Sequence, residues 1–203
     1  MRKNVKKQLA LRVLSTAALM AMVSSIATAA FADTYDLNKG SVDILAEGGE
    51  QRITQWEDKD NNLCVKDGEG KEIRNRLDDD ITLTTKDKDT GKTETAHNTV
   101  TIDAKEGNTA NVTLKDVNIE VNTSEAKTGA IEIKGDGDTN LELNGDNTVL
   151  TTNSTAEEHA AIEKADPYGK GTLTIKDDVN DDGSEKTGTD ADTTGTLLAG
   201  GYH

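Results

Sequence analysis

A short apolar–polar–apolar segment recurs along the chain, and its spacing restricts the fold more than any other feature. Each copy has the two-residue alternation that is typical of a half-buried β-strand. The copies begin at Ile81, Val100, Val112, Ile131, Leu141, Ile162 and Leu173. Long and short steps alternate strictly in this series, so that every second copy falls at a nearly constant distance from the last. The spacing therefore predicts a repeating unit of about 30 residues.

A weaker third strand lies inside the longer steps of the repeat, at 117–121 and 148–152. A unit of three short strands cannot bury its apolar side alone, so several units must stack. Stacked units pair their strands in parallel and place equivalent residues about 4.8 Å apart. The pattern predicts an all-β fold, namely a parallel β-helix or solenoid with about 30 residues per coil.

Rows of aliphatic residues are expected to fill the interior of such a stack. We expect Val112 to lie near Leu141, and Leu141 to lie near Leu173. The other predicted inward rows are Leu114 with Leu143 and Ile175, and Val100 with Ile131 and Ile162, next to Ile102 and Ile133. The corner segments 134–138 and 144–147 carry the Asn and Gly residues that form tight turns.

Two pairs of polar residues also lie about one repeat apart. Asn118 and Asn147 are compatible with an interior Asn ladder at a corner, or with ordinary turn chemistry. Lys134 and Lys164 follow their strands at the same kind of interval. They fit either the basic residue of a polysaccharide lyase or exposed lysines in turns.

Only four aromatic residues follow position 32: Tyr35, Trp56, Tyr168 and Tyr202. These are too few for a conventional globular core, and low hydrophobicity with a high net charge is also typical of disorder. An aliphatic solenoid core resolves this conflict because it needs no aromatic residues. A β-sandwich and a disordered chain remain as alternatives, although disorder gives no reason for regularly spaced strands.

Residues 1–32 have the layout of a secretory signal peptide. A basic lead that ends at Arg12 precedes an apolar run at 13–26 and several small residues. Cleavage is expected after Ala32 or, as an alternative, after Ala29. A membrane anchor is the other interpretation, but the run is shorter than the roughly 20 residues that a spanning helix needs. The segment predicts a secreted or cell-surface protein with no membrane span after signal cleavage.

Loss of this segment would remove five basic residues and leave 18 Lys and Arg against 38 Asp and Glu, a formal charge of −20. Such a surface repels nucleic acid, anionic lipid and polyanionic glycans unless a cation intervenes. We therefore expect no nucleic-acid partner. Cys64 is the single cysteine of the chain, so the sequence predicts no internal disulfide.

Composition and pattern divide the chain into four parts. They are the signal peptide at 1–32, an N-terminal cap and irregular first coil at 33–77, regular coils at 78–176, and an acidic loop with an incomplete last coil at 177–203. A cap is expected because an open first coil exposes apolar core and unpaired edge groups. No similar cap is recognised after the last coil, so we expect either a fragment of a longer surface protein or a capping partner at the C-terminal end.

One acidic cluster resembles a calcium loop. Asp178, Asn180 and Asp182, followed by Gly183, match the first half of a loop that supplies spaced oxygen ligands and a sharp turn. The acidic ligand expected at the twelfth position is replaced by Thr189. The sequence therefore predicts a weak calcium site, with a solvated polar turn as the alternative.

A second candidate metal site lies in a corner between two strands. It consists of Asp136 and Asp138, which precede the strand that begins at Leu141. A solvated polar turn is again the alternative interpretation. No cofactor is required by the sequence, and calcium is the single candidate ligand ion.

Aromatic residues are the candidates for sugar binding by stacking. The candidate ligand-binding residues are Trp56 and Tyr168. A place in the core of the N-terminal cap is the alternative for Trp56, and it is the favoured one. The sequence contains no Ser-His-Asp spacing, HExxH motif, P-loop or pair of cysteines, so no catalytic residue is assigned.

The region 111–175 resembles a known class of proteins. The segments that carry the resemblance are "NVTLKDVNIEV", "GAIEIKGDGDTNLELNGDNTVL" and "AAIEKADPYGKGTLTI". These segments are similar in sequence to the β-helical, carbohydrate-binding-domain-containing surface proteins of Gram-positive anaerobic bacteria. The fold of that class is similar to the pectate-lyase-like right-handed β-helix. The resemblance implies right-handed coils and covers roughly half of the chain.

The resemblance also implies cell-surface or secreted proteins with glycan-binding or adhesion roles, in some cases with calcium. Our expectation is a non-enzymatic β-helix that binds a polysaccharide or a host surface glycan. A polysaccharide lyase or a glycoside hydrolase is the first alternative. A structural stalk, or a fragment of a longer surface protein, is the second.

Overall fold

The computed structural model describes residues 32–56, 73–152, 159–165, 169–177 and 195–202. Most of these residues are in β-strands, which confirms the predicted all-β class. The predicted signal peptide at 1–32 lies outside the described residues, except for Ala32, which begins the first strand. No helix in the described ranges combines the length and the apolarity that a membrane crossing requires.

Fourteen strands lie in the described ranges. The first seven are β1 Ala32–Asp36, β2 Ser41–Glu47, β3 Glu50–Trp56, β4 Arg76–Leu77, β5 Asp80–Thr84, β6 Val100–Ala104 and β7 Thr109–Lys115. The next seven are β8 Asn118–Asn122, β9 Ile131–Lys134, β10 Asp138–Asn144, β11 Asp146–Thr152, β12 Ile162–Lys164, β13 Leu173–Asp177 and β14 Thr196–Tyr202. A 3-10 turn spans Leu37–Lys39, and one turn of helix, α1, spans Thr123–Ala126.

The strands form three sheets. We call them sheet A, with the order β1-β5-β7-β10-β13, sheet B, with the order β12-β9-β6-β2-β3-β4, and sheet C, with the order β14-β11-β8. All the pairs in sheets A and C are parallel. In sheet B, β3 pairs antiparallel with both β2 and β4. From β5 onward, successive strands along the chain lie in different sheets, and each parallel partner comes from the neighbouring repeat.

The register of the parallel pairs confirms the predicted repeat in the middle of the chain. In sheet A, Val112 lies between Ile81 and Leu141, its equivalents in the preceding and following repeats. In sheet B, Ile131 lies between Val100 and Ile162 in the same way. The third strand is also confirmed, because β8 pairs in parallel with β11, its counterpart in the next repeat.

Two predicted rows are wrong at their last members. Leu141 pairs with Ile175, and Leu173 instead lies beside Thr139. Ile175 therefore does not extend the row of Leu114 and Leu143, contrary to the prediction. The register has moved by two residues, which leaves the same side chains facing inward because side chains alternate with a period of two.

The predicted ladder of Asn118 and Asn147 does not form. Asn118 pairs with Thr148, so Asn147 falls one residue out of step and faces the interior, where it is 1% exposed. Its Oδ1 accepts the backbone N–H of Val117 at 3.1 Å. A side-chain bridge between repeats does occur on sheet A, where Asn140 Nδ2 donates to Asn111 Oδ1 at 2.9 Å.

The corners use glycine as the sequence predicted. Gly135 and Gly145 have φ values of +79° and +67°. A Cβ at either position would also collide with the preceding repeat, at the Ala104 carbonyl and at the Asp116 carboxylate respectively. Positive φ and this close approach both require glycine.

The interior is aliphatic, as expected for a chain with few aromatic residues. One cluster of buried side chains joins the three sheets and includes Leu83, Leu114, Ile119, Ile131 and Leu141, all 0% exposed. Tyr35 is the aromatic member of this cluster among the described residues. Stacked Ile, Leu and Val side chains thus bury the apolar face that no single repeat buries alone.

Buried glutamines join β3 to the neighbouring backbone. Gln55 is 1% exposed, and its Nε2 donates to the carbonyls of Asp36 at 2.7 Å and Gly40 at 3.1 Å. β3 therefore covers one side of the stack and also supplies the hydrogen bonds that this side lacks. Buried polar groups are tolerated where they are paired in this way.

Candidate functional site

A polar cleft of about 300 Å³ lies beside the turn that joins β2 to β3. Its walls come from three places in the sequence: the β2–β3 turn, the segment before β5, and the turn that leads into β7. The lining residues are Gly49, Glu50, Gln51, Asp79, Gly107, Asn108, Thr109 and Asn111. The volume is at the lower end of the range of about 300–1,000 Å³ that is typical of small-ligand sites.

The turn of the hairpin follows from its two glycines. Gly48 and Gly49 have φ values of +65° and +80° and connect Glu47 directly to its cross-strand partner Glu50. A two-residue loop with both φ values positive matches the right-handed twist of the flanking strands. The second turn contains Gly107, at a φ of +78°.

Asn108 fixes these two turns to each other. Its Oδ1 accepts the backbone N–H of Gly49 at 2.8 Å. Its Nδ2 donates to the carbonyls of Lys105 at 3.3 Å and Glu106 at 3.2 Å. The amide group of Asn108 is thereby held in place, so this wall of the cleft has a defined shape.

Gln51 forms the floor of the cleft. It is 4% exposed, and its Nε2 donates to the carbonyls of Asp78 at 3.1 Å and Asn111 at 2.9 Å. Its Oε1 accepts the backbone N–H of Asn111 at 2.6 Å. Three hydrogen bonds from one buried amide join the hairpin to β7 and to the segment before β5.

The cleft also contains polar side chains that face solvent, in contrast to the hydrogen-bonded amides of its inner walls. Asp79 and Thr109 are exposed, and so is the Glu50 carboxylate, which is 2.8 Å from the Arg52 guanidinium. Carboxylates and hydroxyls of this kind bind the hydroxyl groups of an uncharged ligand by hydrogen bonds. Rigid inner walls and exposed polar groups are the usual composition of a site for a polar small molecule.

A buried acid lies next to the cleft. Asp78 is 1% exposed, and its Oδ2 accepts the hydroxyl of Tyr35 at 2.7 Å. Burial raises the pKa of the Asp78 carboxyl above its ordinary value, an effect that outweighs the hydrogen bond from Tyr35, the backbone N–H groups of Asp80 and Asp33, and the nearby Arg76 charge. Burial beside the same carboxyl also raises the pKa of Tyr35. This pair anchors β1 to the segment that carries Asp79.

Trp56 lies away from the cleft, at the end of β3, and alternation along the strand places it on the outer face of sheet B. It is half-buried, so the expectation that it belongs to the core of the cap is wrong. Its indole N–H donates to Asp43 Oδ2 at 2.5 Å, and the Arg74 guanidinium lies 5.9 Å from the ring centroid. The ring is therefore already bound by side chains of this chain.

The corner acids Asp136 and Asp138 are bound to the next repeat. Asp138 Oδ1 accepts the backbone N–H of Thr172 at 2.9 Å and its hydroxyl at 2.7 Å. These bonds to Thr172 lower the pKa of Asp138. Asp136 Oδ1 accepts the backbone N–H of Lys170 at 3.3 Å. Both carboxylates join neighbouring turns, and their role as metal ligands stays a prediction.

The other predicted site residues are outside the described ranges. They are the candidate sugar-binding Tyr168 and the candidate calcium ligands Asp178, Asn180 and Asp182. Cys64 is also outside these ranges. Within the described ranges, His, Cys, Asp and Glu side chains form no group of three or more with the geometry of a metal site.

The two lysines that lie about one repeat apart do not share a face. Lys134 is exposed and pairs with Glu132 at 2.8 Å. Lys164 instead lies beside Ile133, at an inward position, and its ammonium donates to the backbone carbonyls of Gly169, at 3.3 Å, and Gly171. A shared catalytic role for the two ammonium groups is therefore not supported.

The cleft itself was missed by the sequence analysis. Its signals were present as two tight-turn sequences, "EGGEQ" at 47–51 and "EGNT" at 106–109. Turn chemistry identifies each loop separately, but it does not show that two loops so far apart in the sequence meet.

Comparison with protein-family models, curated proteins and solved structures finds no match to this chain.

Proposed function

We propose that the repeats wind as a right-handed parallel β-helix with about 30 residues per coil, of the kind found in bacterial surface proteins that bind carbohydrate. Parallel pairs between equivalent residues of successive repeats, in sheets A, B and C, support the coil length. The right hand rests on the resemblance of 111–175 and on the general preference of parallel crossover connections. The four-part division of the chain, with a cap at 33–77, belongs to this proposal.

The function that fits this architecture best is non-enzymatic glycan binding or adhesion by a secreted or cell-surface protein. The observation that carries the proposal is the polar cleft between the β2–β3 turn and the turn before β7. Its inner amides, Gln51 and Asn108, are fixed by hydrogen bonds, while Asp79, Thr109 and Glu50 face solvent. This arrangement offers hydrogen-bond partners to sugar hydroxyls without reorganisation of the site.

The charge of the protein selects the class of glycan. The whole chain carries a formal charge of −15, and the cleft includes the carboxylates of Glu50 and Asp79. Such a surface disfavours polyanionic glycans. We therefore propose a neutral saccharide as the ligand, with calcium as an assisting ion where an anionic glycan binds.

A glycan array, with and without calcium, tests the proposal on the purified protein. We expect binding to neutral glycans that is lost or weakened about tenfold or more by Asp79→Asn, since a carboxylate–hydroxyl hydrogen bond contributes roughly 1.5–3 kcal/mol. Asp80→Asn is the matched control because Asp80 is an exposed neighbour that does not line the cleft. Equal binding by both variants would place the glycan elsewhere, and Trp56→Ala would then test the stacking site.

Glycoside hydrolysis is the second candidate function, because Glu50 and Asp79 line one cleft. Hydrolases of this type use two carboxylates, one as the acid and the other as the base or nucleophile. Release of reducing sugar that stops in Asp79→Asn would favour the hydrolase, and release of unsaturated sugar would favour a lyase. Unchanged substrates together with array binding favour the binding protein, and no binding at all favours a structural stalk.

Calcium binding by Asp178, Asn180 and Asp182, or by Asp136 and Asp138, is tested by thermal unfolding with calcium and with chelator. Binding to the folded state alone must raise the melting temperature. We expect an increase with calcium that Asp182→Asn reduces. An identical melting temperature in calcium and in chelator would remove calcium from the proposal.

A further inference from the structure

The first described strand begins at the point where cleavage of the predicted signal peptide is expected. Cleavage after Ala32 would make Asp33 the first residue of the exported chain. In the structure the bond between these two residues lies inside β1, where Ala32 pairs with Asp80 and Asp33 pairs with Ile81. Its hydrolysis therefore removes one pair at the start of β1 and leaves the pairs from Asp33 to Asp36 in place.

The backbone nitrogen of Asp33, which would become the new α-amino group, already contacts a buried acid. Its N–H donates to the carboxylate of Asp78, which is 1% exposed. The same carboxylate accepts the hydroxyl of Tyr35 at 2.7 Å and the backbone N–H of Asp80 at 3.0 Å. One donor to this buried acid is therefore the nitrogen atom that cleavage would convert into an amine.

The charged groups near the Asp78 carboxyl come from β1, from β4 and from its own segment. The side chain of Asp33 in β1 binds the guanidinium of Arg76 in β4, with 3.0 Å between Oδ2 and Nη1. Asp79 and Asp80 are exposed acids that follow Asp78 in the chain. Burial outweighs the Arg76 charge and raises the pKa of Asp78 while Asp33 carries a neutral amide. A positive charge on the Asp33 nitrogen would favour the ionised carboxylate.

We propose that cleavage after Ala32 creates an ion pair between the new α-ammonium group of Asp33 and the buried carboxylate of Asp78. A signal peptidase hydrolyses the peptide bond with one water molecule. The water supplies the second oxygen of the Ala32 carboxylate and the two protons that turn the Asp33 nitrogen into an ammonium. A charge-assisted hydrogen bond then replaces a neutral one. A cationic partner together with further donors is what makes a buried ion pair favourable.

The ion pair also fixes the segment that forms one wall of the cleft. The backbone N–H of Asp78 donates to the carbonyl of Gln51 at 3.0 Å, and its carbonyl accepts Gln51 Nε2 at 3.1 Å. Asp79, the next residue, lines the cleft. Removal of the signal peptide would therefore complete the anchor of this wall, so that the cleft reaches its final form only on export. The ion pair rests on the export that the proposed function includes, but not on glycan binding.

Mass spectrometry of the protein exported from the full-length gene tests the first step, and we expect a chain that begins at Asp33. Thermal unfolding then compares two chains released from a fusion, one beginning at Asp33 and the other at Ala32. Near neutral pH the Asp33 chain should melt about 3 °C or more higher, because only this chain has the ammonium beside Asp78. The difference should vanish in acid, where Asp78 is protonated in both chains. It should also vanish at alkaline pH, because pairing raises the pKa of the ammonium above its ordinary value of about 8 and stability is lost as pH rises through that raised pKa.

Two measurements connect this difference to Asp78. Asp78→Asn in both chains should abolish the difference in melting temperature, whereas Asp80→Asn, at an exposed neighbour, should preserve it. A nitrogen-15 NMR titration of the α-amino group in the Asp33 chain reports the pairing directly. We expect a titration midpoint at least about one pH unit above the ordinary value.

Several results would overturn the proposal. They are an exported chain that begins at any other residue, such as Ala30, equal melting of the two chains, a difference that survives Asp78→Asn, or an ordinary titration midpoint. If Asp78→Asn does not fold, the titration of the unsubstituted Asp33 chain decides. A raised midpoint in a protein that binds no glycan would reject the proposed function and keep the ion pair. Glycan binding with an ordinary midpoint would do the reverse.

Discussion

The two sides of the stack of repeats differ in how completely their inward apolar side chains are buried. On one side, which we call the covered side, the antiparallel strand β3 extends sheet B beyond β2, and its buried amides Gln51 and Gln55 bind the neighbouring backbone. In the last described repeat, at the other side, Ile175 is 44% exposed, and Lys164 binds the carbonyls of Gly169 and Gly171. Similar alternating sequences therefore bury their apolar side fully only where another layer follows.

This difference shows which residues stabilise the stack and which only end it. An inward-facing residue with a neighbouring repeat on both sides loses its contacts with water completely, and its removal leaves a cavity. An inward-facing residue of the last described repeat has a partner on one side only within the described ranges. Stability is consequently expected to depend more on the middle repeats and the covered side than on the last described repeat.

The largest expected effect comes from Leu141, which lies between Val112 and Ile175 and is 0% exposed. We expect Leu141→Ala to lower the free energy of unfolding by about 3 kcal/mol, measured by urea titration, because a cavity remains between two layers. Ile175→Ala, in the last described repeat, is the control and should cost about 1 kcal/mol or less. Equal losses for both variants would contradict the difference between the two sides.

The next effect comes from the covered side. Gln55→Leu removes the donor to the carbonyls of Asp36 and Gly40, so we expect a loss of about 2 kcal/mol in the free energy of unfolding, measured in the same titration. Thr174→Val, on the half-buried edge strand β13, serves as the comparison and should cost less than about 0.5 kcal/mol. A Gln55→Leu variant as stable as the wild type would show that the buried amide is dispensable.

A pH-dependent effect is expected at Asp78. Its pKa in the folded protein lies above the ordinary value of 3.8 because burial disfavours the charge. The carboxyl therefore contributes its full stabilisation below about pH 3.8 and loses it as pH rises through the folded-state pKa. As pH rises over that range, the free energy of unfolding of Asp78→Asn should therefore increase relative to that of the wild type.

Urea titrations at several pH values measure this difference. Asp80→Asn, at an exposed neighbour, should show no such change relative to the wild type. Tyr35→Phe removes the 2.7 Å hydrogen bond to Asp78 and should destabilise the fold more above the Asp78 pKa than below it, because the ionised acid needs the donor most. A pH-independent difference for Asp78→Asn would contradict the assigned direction.

The smallest effect is expected at the Asn111–Asn140 bridge on the outer face of sheet A. Asn140→Ala should cost about 0.3 kcal/mol, since cross-strand side-chain pairs of this kind contribute little beyond the burial that they share. Thermal unfolding, compared with Thr113→Ala on the same face, measures it. A loss as large as that of Leu141→Ala would mean that outer ladders, and not the apolar rows, hold the repeats together.

The alternating pattern predicted the strands correctly because it reports which residues face inward. Val112, Leu141, Val100 and Ile131 lie beside the partners that their spacing indicated. The pattern does not determine which residues of two neighbouring strands pair with each other. A shift of two residues keeps the same face inward, so the sequence placed Leu173 beside Leu141 where the structure places Ile175.

A shift of one residue has the opposite consequence, since it exchanges the two faces of a strand. Asn147 and Lys164 each lie one residue out of step with the spacing expected for them, and each faces inward. Asn147 thereby becomes a buried anchor for Val117, and the Lys164 ammonium binds the carbonyls of Gly169 and Gly171. The local sequence contains no signal for the shift at Asn147, because the length and path of the connecting loops set the register. The row of Ile131 and Ile162, in contrast, already implies that Lys164 lies beside Ile133.

The sequence by itself determined the all-β class, the length of the repeat and the aliphatic interior, because hydrophobic periodicity depends only on the order of residues along the chain. The tertiary structure alone decided the cleft and the buried glutamines on the covered side. Each of these depends on contacts between segments far apart in the sequence, where small shifts in pairing decide which polar group meets which backbone atom.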